Sequence, residues 1–138
     1  MKVVISGGTG LIGSALIDSL VADGHSVVVL SRAAAMKRDM FDGSVTVAQW
    51  NGRDLGPWAE HVDGADAVVN LAGESIAGSN YLPDRWTESK KQRILQSRLN
   101  AGKVLVEAVE AAAARPAVFV QASAIGYYGS TGSQIITE

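Results

Sequence analysis

The stretch KVVISGGTGLIGSALIDSL, residues 2–20, decides the fold. A short β-branched run at residues 2–6 meets a helical pattern, and four glycines (Gly7, Gly8, Gly10 and Gly13) stand at the junction. Glycine reaches backbone angles denied to other residues, so Gly7 and Gly8 suit a tight turn out of a strand. Gly10 carries no Cβ to keep an anion from the start of the next helix, whose free N–H groups and dipole favour negative charge. Gly13 lets that helix pack close to the sheet. The spacing satisfies G-x-G-x-x-G from Gly8 and G-x-x-G-x-x-G from Gly7. By itself such a pattern is only a glycine-rich turn; between a strand and a helix it is the fingerprint of a pyrophosphate cradle. The expected cradle is Gly7, Gly8, Thr9, Gly10, Leu11, Ile12 and Gly13.

Outward from this turn the chain alternates. Residues 11–23 carry Ile12, Leu16 and Leu20 at helical spacing, and Gly24 stops that helix. HSVVVLS, residues 25–31, predicts a second buried strand. RAAAMKRDMFDG is a polar, partly helical connection to a weaker strand, SVTVAQW, at residues 44–50. NGRDLGPW is turn-rich and leaves room for one short helix before Val62. DAVVNLAG, residues 66–73, predicts a strand buried on both faces. A loop then leads to a long helical stretch over 84–114, ended by Pro116, with Ile94, Ala101, Leu105, Ala108 and Ala112 on one face. AVFVQAS, residues 117–123, is a fifth strand, and an irregular tail follows. Strands alternating with helices give a parallel sheet with right-handed crossovers. Five strands are too few for a barrel, so the expected fold is an α/β, doubly wound, Rossmann-type sheet in the order 3-2-1-4-5. Ligands bind such sheets beyond the carboxyl ends of the strands where the order reverses. One rim should therefore hold the glycine turn and the ends of strands 4 and 5.

Composition narrows the class. The chain has 138 residues, 47% of them hydrophobic and 19% charged, which suits one dinucleotide-binding domain spanning 1–138. A net charge of −2 argues against a nucleic-acid surface. With no cysteine, thiol and disulfide chemistry are excluded. No signal-peptide layout precedes the first strand and no apolar run suits a membrane, so a cytoplasmic protein is expected.

The end of strand 2 separates two cofactors. A site for NAD usually places Asp or Glu here, on the ribose 2′-hydroxyl. VVVLSR instead puts Ser31 and Arg32 there, with Lys37 and Arg38 nearby. A guanidinium can hold a 2′-phosphate through two hydrogen bonds, and a hydroxyl can add another. The competing reading is a solvated arginine in a basic loop. NADP is expected over NAD.

SGGTGLIGSAL, the NLAG of residues 70–73, SRLNAGKVLVEAV, and ASAIGYYG followed by ITE together resemble the extended short-chain dehydrogenase/reductases. RW and SR in the long helix and the doubled tyrosine after SAIG are similar to the NADP-linked epimerase-like subfamily, labelled nucleoside-diphosphate-sugar epimerase or cell-division-inhibitor-like. The resemblance implies that Leu71, Ala72 and Gly73 line the nicotinamide-side ribose, that Ser123 is the active-site serine, and that Asn100 is the family's helix asparagine, here in a broken NAGK pattern. It implies that Tyr127 and Tyr128 are structural, since Thr131 and Gly132 stand four residues beyond them where a Tyr-x-x-x-Lys pair needs lysine. It also implies that the chain matches only the N-terminal half of such a protein, with a sixth strand and a substrate domain beyond Glu138; the Tyr–Lys pair of true extended reductases would lie there too, but the narrower subfamily commonly lacks it. The implied activity is that of an epimerase/dehydratase-like or reductase-like oxidoreductase on a small, nucleotide-sugar-like substrate, with this chain alone inactive. The rivals are a non-catalytic NADP-binding sensor or scaffold and a Rossmann-like module for another nucleotide such as FAD.

Other features are weaker. His25 and His61 are isolated, so no metal site is expected. Trp50 reads as core rather than an adenine wall. Arg85, Lys90, Lys91, Arg93 and Arg98 read as a solvated helix face, with Arg93 or Arg98 able to turn toward cofactor phosphates. Without the sixth strand that the resemblance implies, strand 5 would leave an unpaired sheet edge; either copies of the chain associate there or the tail from Ala124 to Glu138 folds back over it, and association is the expected outcome.

Overall fold

The computed structural model describes residues 1–37, 40–41, 43–76, 86–123 and 132–133. The elements run β1 (Lys2–Ser6), α1 (Leu11–Ala22), β2 (Ser26–Ser31), α2 (Ala34–Lys37), β3 (Val45–Gln49), a 3-10 helix (Pro57–His61), β4 (Ala67–Asn70), α3 (Glu88–Ala111) and β5 (Val118–Gln121). The strands form one parallel sheet in the order β3-β2-β1-β4-β5. That is the expected doubly wound order, with the reversal between β1 and β4.

Strand alternation sorts the apolar residues into two cores. Val4, Val28, Leu30, Ala48 and Val68 point to one face, where they meet Ala101, Val104, Leu105 and Ala108 of α3 together with Trp50, Trp58 and Val62. Val3, Ile5, Val27, Val29, Val45 and Val69 point to the other, beneath Ile17 of α1. Successive strand residues face opposite sides, so covering both faces demands unbroken apolar runs such as VVVL. Trp50 packs edge-on against Trp58, with ring centroids 5.6 Å apart, as a core residue.

Several boundaries move inward. Strand pairing ends at Asn70 in β4 and Gln121 in β5, so Leu71–Gly73, Ala122 and Ser123 belong to the loops beyond the sheet. In α1 the buried residues are Gly13 and Ile17, with Leu16, Leu20 and Val21 packed beside them; Ile12 is on the open side. The predicted stripe therefore runs one position out of phase at its start, because Gly13 must face the turn. The helix α3 has Thr87 as its N-cap, its hydroxyl accepting from the Lys90 N–H, and ends before the last three alanines of its run. The reason is local. The Asp63 carboxylate accepts the Ala114 N–H at 2.7 Å, and the Ala114 carbonyl accepts the Gly64 N–H at 2.9 Å. These bonds draw the chain off the helix axis two residues before Pro116.

Candidate functional site

The glycine turn is tight because Gly7 adopts φ +74° and its carbonyl accepts the Gly10 N–H at 3.1 Å. The four glycines have different causes. A Cβ on Gly7 would stand 2.6 Å from the Leu71 carbonyl carbon, so β4's exit passes directly against the turn. Gly8 does not have a positive φ, contrary to expectation. Its requirement is packing, since a Cβ would press on Ile17 Cδ1 at 2.9 Å and Val29 Cγ1 at 3.0 Å. A Cβ on Gly13 would meet Gly7 O at 2.5 Å, so this residue seats α1 on the turn. At Gly10 a Cβ would meet only Gly7 O, at 3.3 Å, and would otherwise occupy the space before the helix.

The start of the helix is left uncapped by side chains. Gly10 is the N-cap of α1 but contributes no side-chain cap, and the first turn carries no acidic residue. The first N–H groups of the helix therefore point outward, with the positive end of its dipole behind them. Thr9 is half-buried, whereas Leu11 and Ile12 are 92% and 71% exposed at the mouth of the turn.

Beyond β2, Ser31 is buried and its hydroxyl accepts the Ala33 N–H at 3.2 Å. Gln49, at the end of β3, clamps the same loop: its amide donates to the Arg32 carbonyl at 2.9 Å and accepts the Ala34 N–H at 3.0 Å. Arg32 is thereby held on a fixed backbone with an exposed side chain, which forms no hydrogen bond or ion pair with another described residue. Gln49 was not singled out from the sequence; its signal was a polar residue closing an apolar strand.

A second feature that sequence reasoning missed is a polar rung across the sheet. Ser6, Asn70 and Gln121 are register partners at the carboxyl ends of β1, β4 and β5. Ser6 Oγ donates to Asn70 Oδ1 at 2.5 Å, and Asn70 Nδ2 donates to Gln121 Oε1 at 2.8 Å. Asn70 Oδ1 also accepts the Ala72 N–H at 3.2 Å. Asn70 is fully buried, so this saturation is what makes a polar side chain tolerable there. The rung fixes the start of Leu71–Gly73, and Gly73 lies under the Arg98 guanidinium.

The basic face of α3 is not uniformly solvated. Lys90 is only 3% exposed, with Nζ 5.2 Å from the Trp86 ring centroid. Arg93 and Arg98 are exposed as expected, but neither is free: Arg93 Nε pairs with Glu74 Oε1 at 3.0 Å, and Arg98 donates to the Glu74 and Ile94 carbonyls. Asn100 lines an open groove with Arg53, Asp54, Leu55, Lys103 and Glu107. Ser123 is exposed, two residues beyond β5; Arg38, Arg85, Tyr127 and Tyr128 lie outside the described residues. No group of three metal-ligating side chains and no helix long and apolar enough to cross a membrane occurs among the described residues.

Residues 3–138 match the family model described as "NAD dependent epimerase/dehydratase family". The chain belongs to that family. Among curated family relatives, the epimerase family protein YfhF of Bacillus subtilis (strain 168) is 37% identical over 140 residues, covering 100% of this chain and 42% of the relative. The chloroplastic SDR39U1 homolog of Arabidopsis thaliana is 33% identical over 144 residues, covering 100% and 38%. Among solved structures, human epimerase family protein SDR39U1 (isoform 2) with NADPH superposes with a TM-score of 0.67 at 32% identity, over 93% of this chain and 38% of that one. MoeE5 in complex with UDP-glucose and NAD gives a TM-score of 0.58 at 26% identity, over 80% and 33%. The chain thus spans about two fifths of the length of the curated family relatives it matches. Dinucleotide binding is the common property of the family; NADPH and NAD both occur among its solved neighbours.

Proposed function

We propose that this chain is the NADP-binding domain of an oxidoreductase of the epimerase/dehydratase family. The observation that carries the choice of NADP is Arg32: an exposed guanidinium, unpaired among the described residues, on a backbone held by Gln49, where NAD sites carry an acid. The NADPH bound to human SDR39U1 supports the same reading. In this reading the N–H groups at the start of α1 bind the pyrophosphate, and Gly10 leaves room for it. Arg32 binds the 2′-phosphate, with Ser31 holding the turn beneath it. Leu71, Ala72 and Gly73 form the floor on the nicotinamide side, and Ser123 donates a hydrogen bond to a substrate oxygen. When bound, the nicotinamide supplies or accepts the hydride. The substrate is a small carbonyl or hydroxyl compound of nucleotide-sugar type, as the UDP-glucose of MoeE5 suggests.

Titration calorimetry of the 138-residue chain tests the cofactor. NADPH should bind more tightly than NADH, and Arg32→Ala should remove most of the difference, about 1.5–3 kcal/mol for a hydrogen bond to a charged group. Equal affinities in the unmutated chain would refute the assignment. The exposed edge of β5 adds a structural expectation: two copies associate through it.

A further inference from the structure

Glu74, the first residue beyond NLAG, is held at three points by one face of α3. Its N–H is accepted by Ser97 Oγ at 2.9 Å, its carbonyl accepts from Arg98 Nη1 at 3.2 Å, and its carboxylate pairs with Arg93 Nε. Ser97 Oγ and Arg98 Nη1 also donate to the Ile94 carbonyl, at 2.8 and 3.1 Å, which ties both side chains to the helix backbone. The Arg98 guanidinium lies on Gly73, where a Cβ would come within 2.8 Å of its Cζ. Four residues are thus pinned at both ends. Leu71 donates its N–H to the Ser6 carbonyl at 3.0 Å and lies against Gly7; Glu74 is fastened to α3.

From this geometry we infer that Arg98, seated on Gly73, is a positioning residue that sets the nicotinamide-side floor of the cofactor site. The inference rests on the dinucleotide reading above. A dinucleotide lies across the crevice, with its adenosine half toward β2 and its other half toward β4. The clamp therefore acts on one half of the ligand only. It acts through the backbone of Leu71–Gly73, so it differs from simple attraction between an arginine and a phosphate. Gly73 and Arg98 form a matched pair: any side chain at 73 displaces the guanidinium even though its charge is retained.

The test compares NADPH with 2′,5′-ADP, which carries the adenosine half alone, on the full 138-residue chain. Arg98→Ala should lower NADPH affinity about tenfold and leave 2′,5′-ADP within about twofold, the size of one charge-assisted contact. Gly73→Ala should do the same while keeping the charge, and the double variant should be no worse than either single, since both disable one device. Equal losses for both ligands, no loss for either, or additive losses in the double variant would overturn the inference. If the unmutated chain binds neither ligand, the functional reading fails, and with it the cofactor role of the clamp. Amide hydrogen exchange tests the clamp without ligand. Because Ser97 still holds the Glu74 N–H, the amides read are those of Gly73 and Glu74 in Arg98→Ala with Ser97→Ala, which should exchange at least tenfold faster than in Ser97→Ala alone, with β1 and β2 amides unchanged; equal rates in the two variants would overturn it.

Discussion

Gly7 and Gly24 share a backbone angle, φ +74° and +75°, but not an environment. Around Gly24 nothing approaches a would-be Cβ within 4 Å, whereas Gly7 faces the main chain of Leu71 and Ala72 at 2.6–2.8 Å. Gly24→Ala should therefore cost only the left-handed penalty, about 1–2 kcal/mol. Gly7→Ala should exceed it by at least about 1 kcal/mol, because main chain cannot rotate away as a side chain can. Urea denaturation of the two variants measures the difference, and equal losses would mean the contact yields freely. The turn was legible because glycine spacing records backbone constraints directly. Gly8 shows the limit: its glycine answers to Ile17 and Val29, residues distant in sequence that only the folded chain brings together. Arg98 was legible as a charge but not as a clamp, since its partner Glu74 lies 24 residues away in the loop after β4.

At the level of elements, the rung Ser6–Asn70–Gln121 joins three strands at their carboxyl ends. Asn70→Ala leaves the Ser6 hydroxyl, the Gln121 amide and the Ala72 N–H without their buried partner. The expected loss is about 2–4 kcal/mol, as for unsatisfied groups in a shared network. Chemical denaturation measures it; a loss under about 1 kcal/mol would show that water or a rotamer change replaces the bonds. A milder effect is expected at the start of α3, where Thr87→Ala removes the cap on the Lys90 N–H and should cost about 1 kcal/mol, read in the same way. Strand order and helix placement were legible from alternation alone, since VVIS, VVVLS and AVVN are apolar enough to demand cover on both faces. Helix ends were less so. Ala112–Ala114 have every propensity to continue α3, yet the Asp63 carboxylate and the Gly64 N–H claim that backbone instead. Propensity was outweighed by tertiary hydrogen bonds.

Over the whole molecule, cover is uneven. The four strands β1–β4 are largely buried, whereas in β5 Val118, Phe119 and Val120 remain 50%, 38% and 46% exposed. Leu95, Leu99 and Val106 of α3 are also exposed. An edge strand with apolar side chains, its outer N–H and C=O groups unpaired among the described residues, templates another strand. Light scattering of the 138-residue chain should show its apparent mass rising with concentration, and Val118→Lys with Val120→Lys should suppress that rise. Both positions are open, so these changes should leave the unfolding midpoint nearly unaltered. A concentration-independent monomer would contradict the expectation.

The contact between Gly7 and Leu71 joins main chain to main chain, with no side chain interposed. The gap between the two halves of the crevice is consequently gauged by atomic radii alone. Such a spacing does not drift as the hydrophobic interior is repacked, because no rotamer enters it. A side chain added at position 7 would therefore widen that spacing directly, whereas the buried Val68 and Val104 do not enter the contact itself.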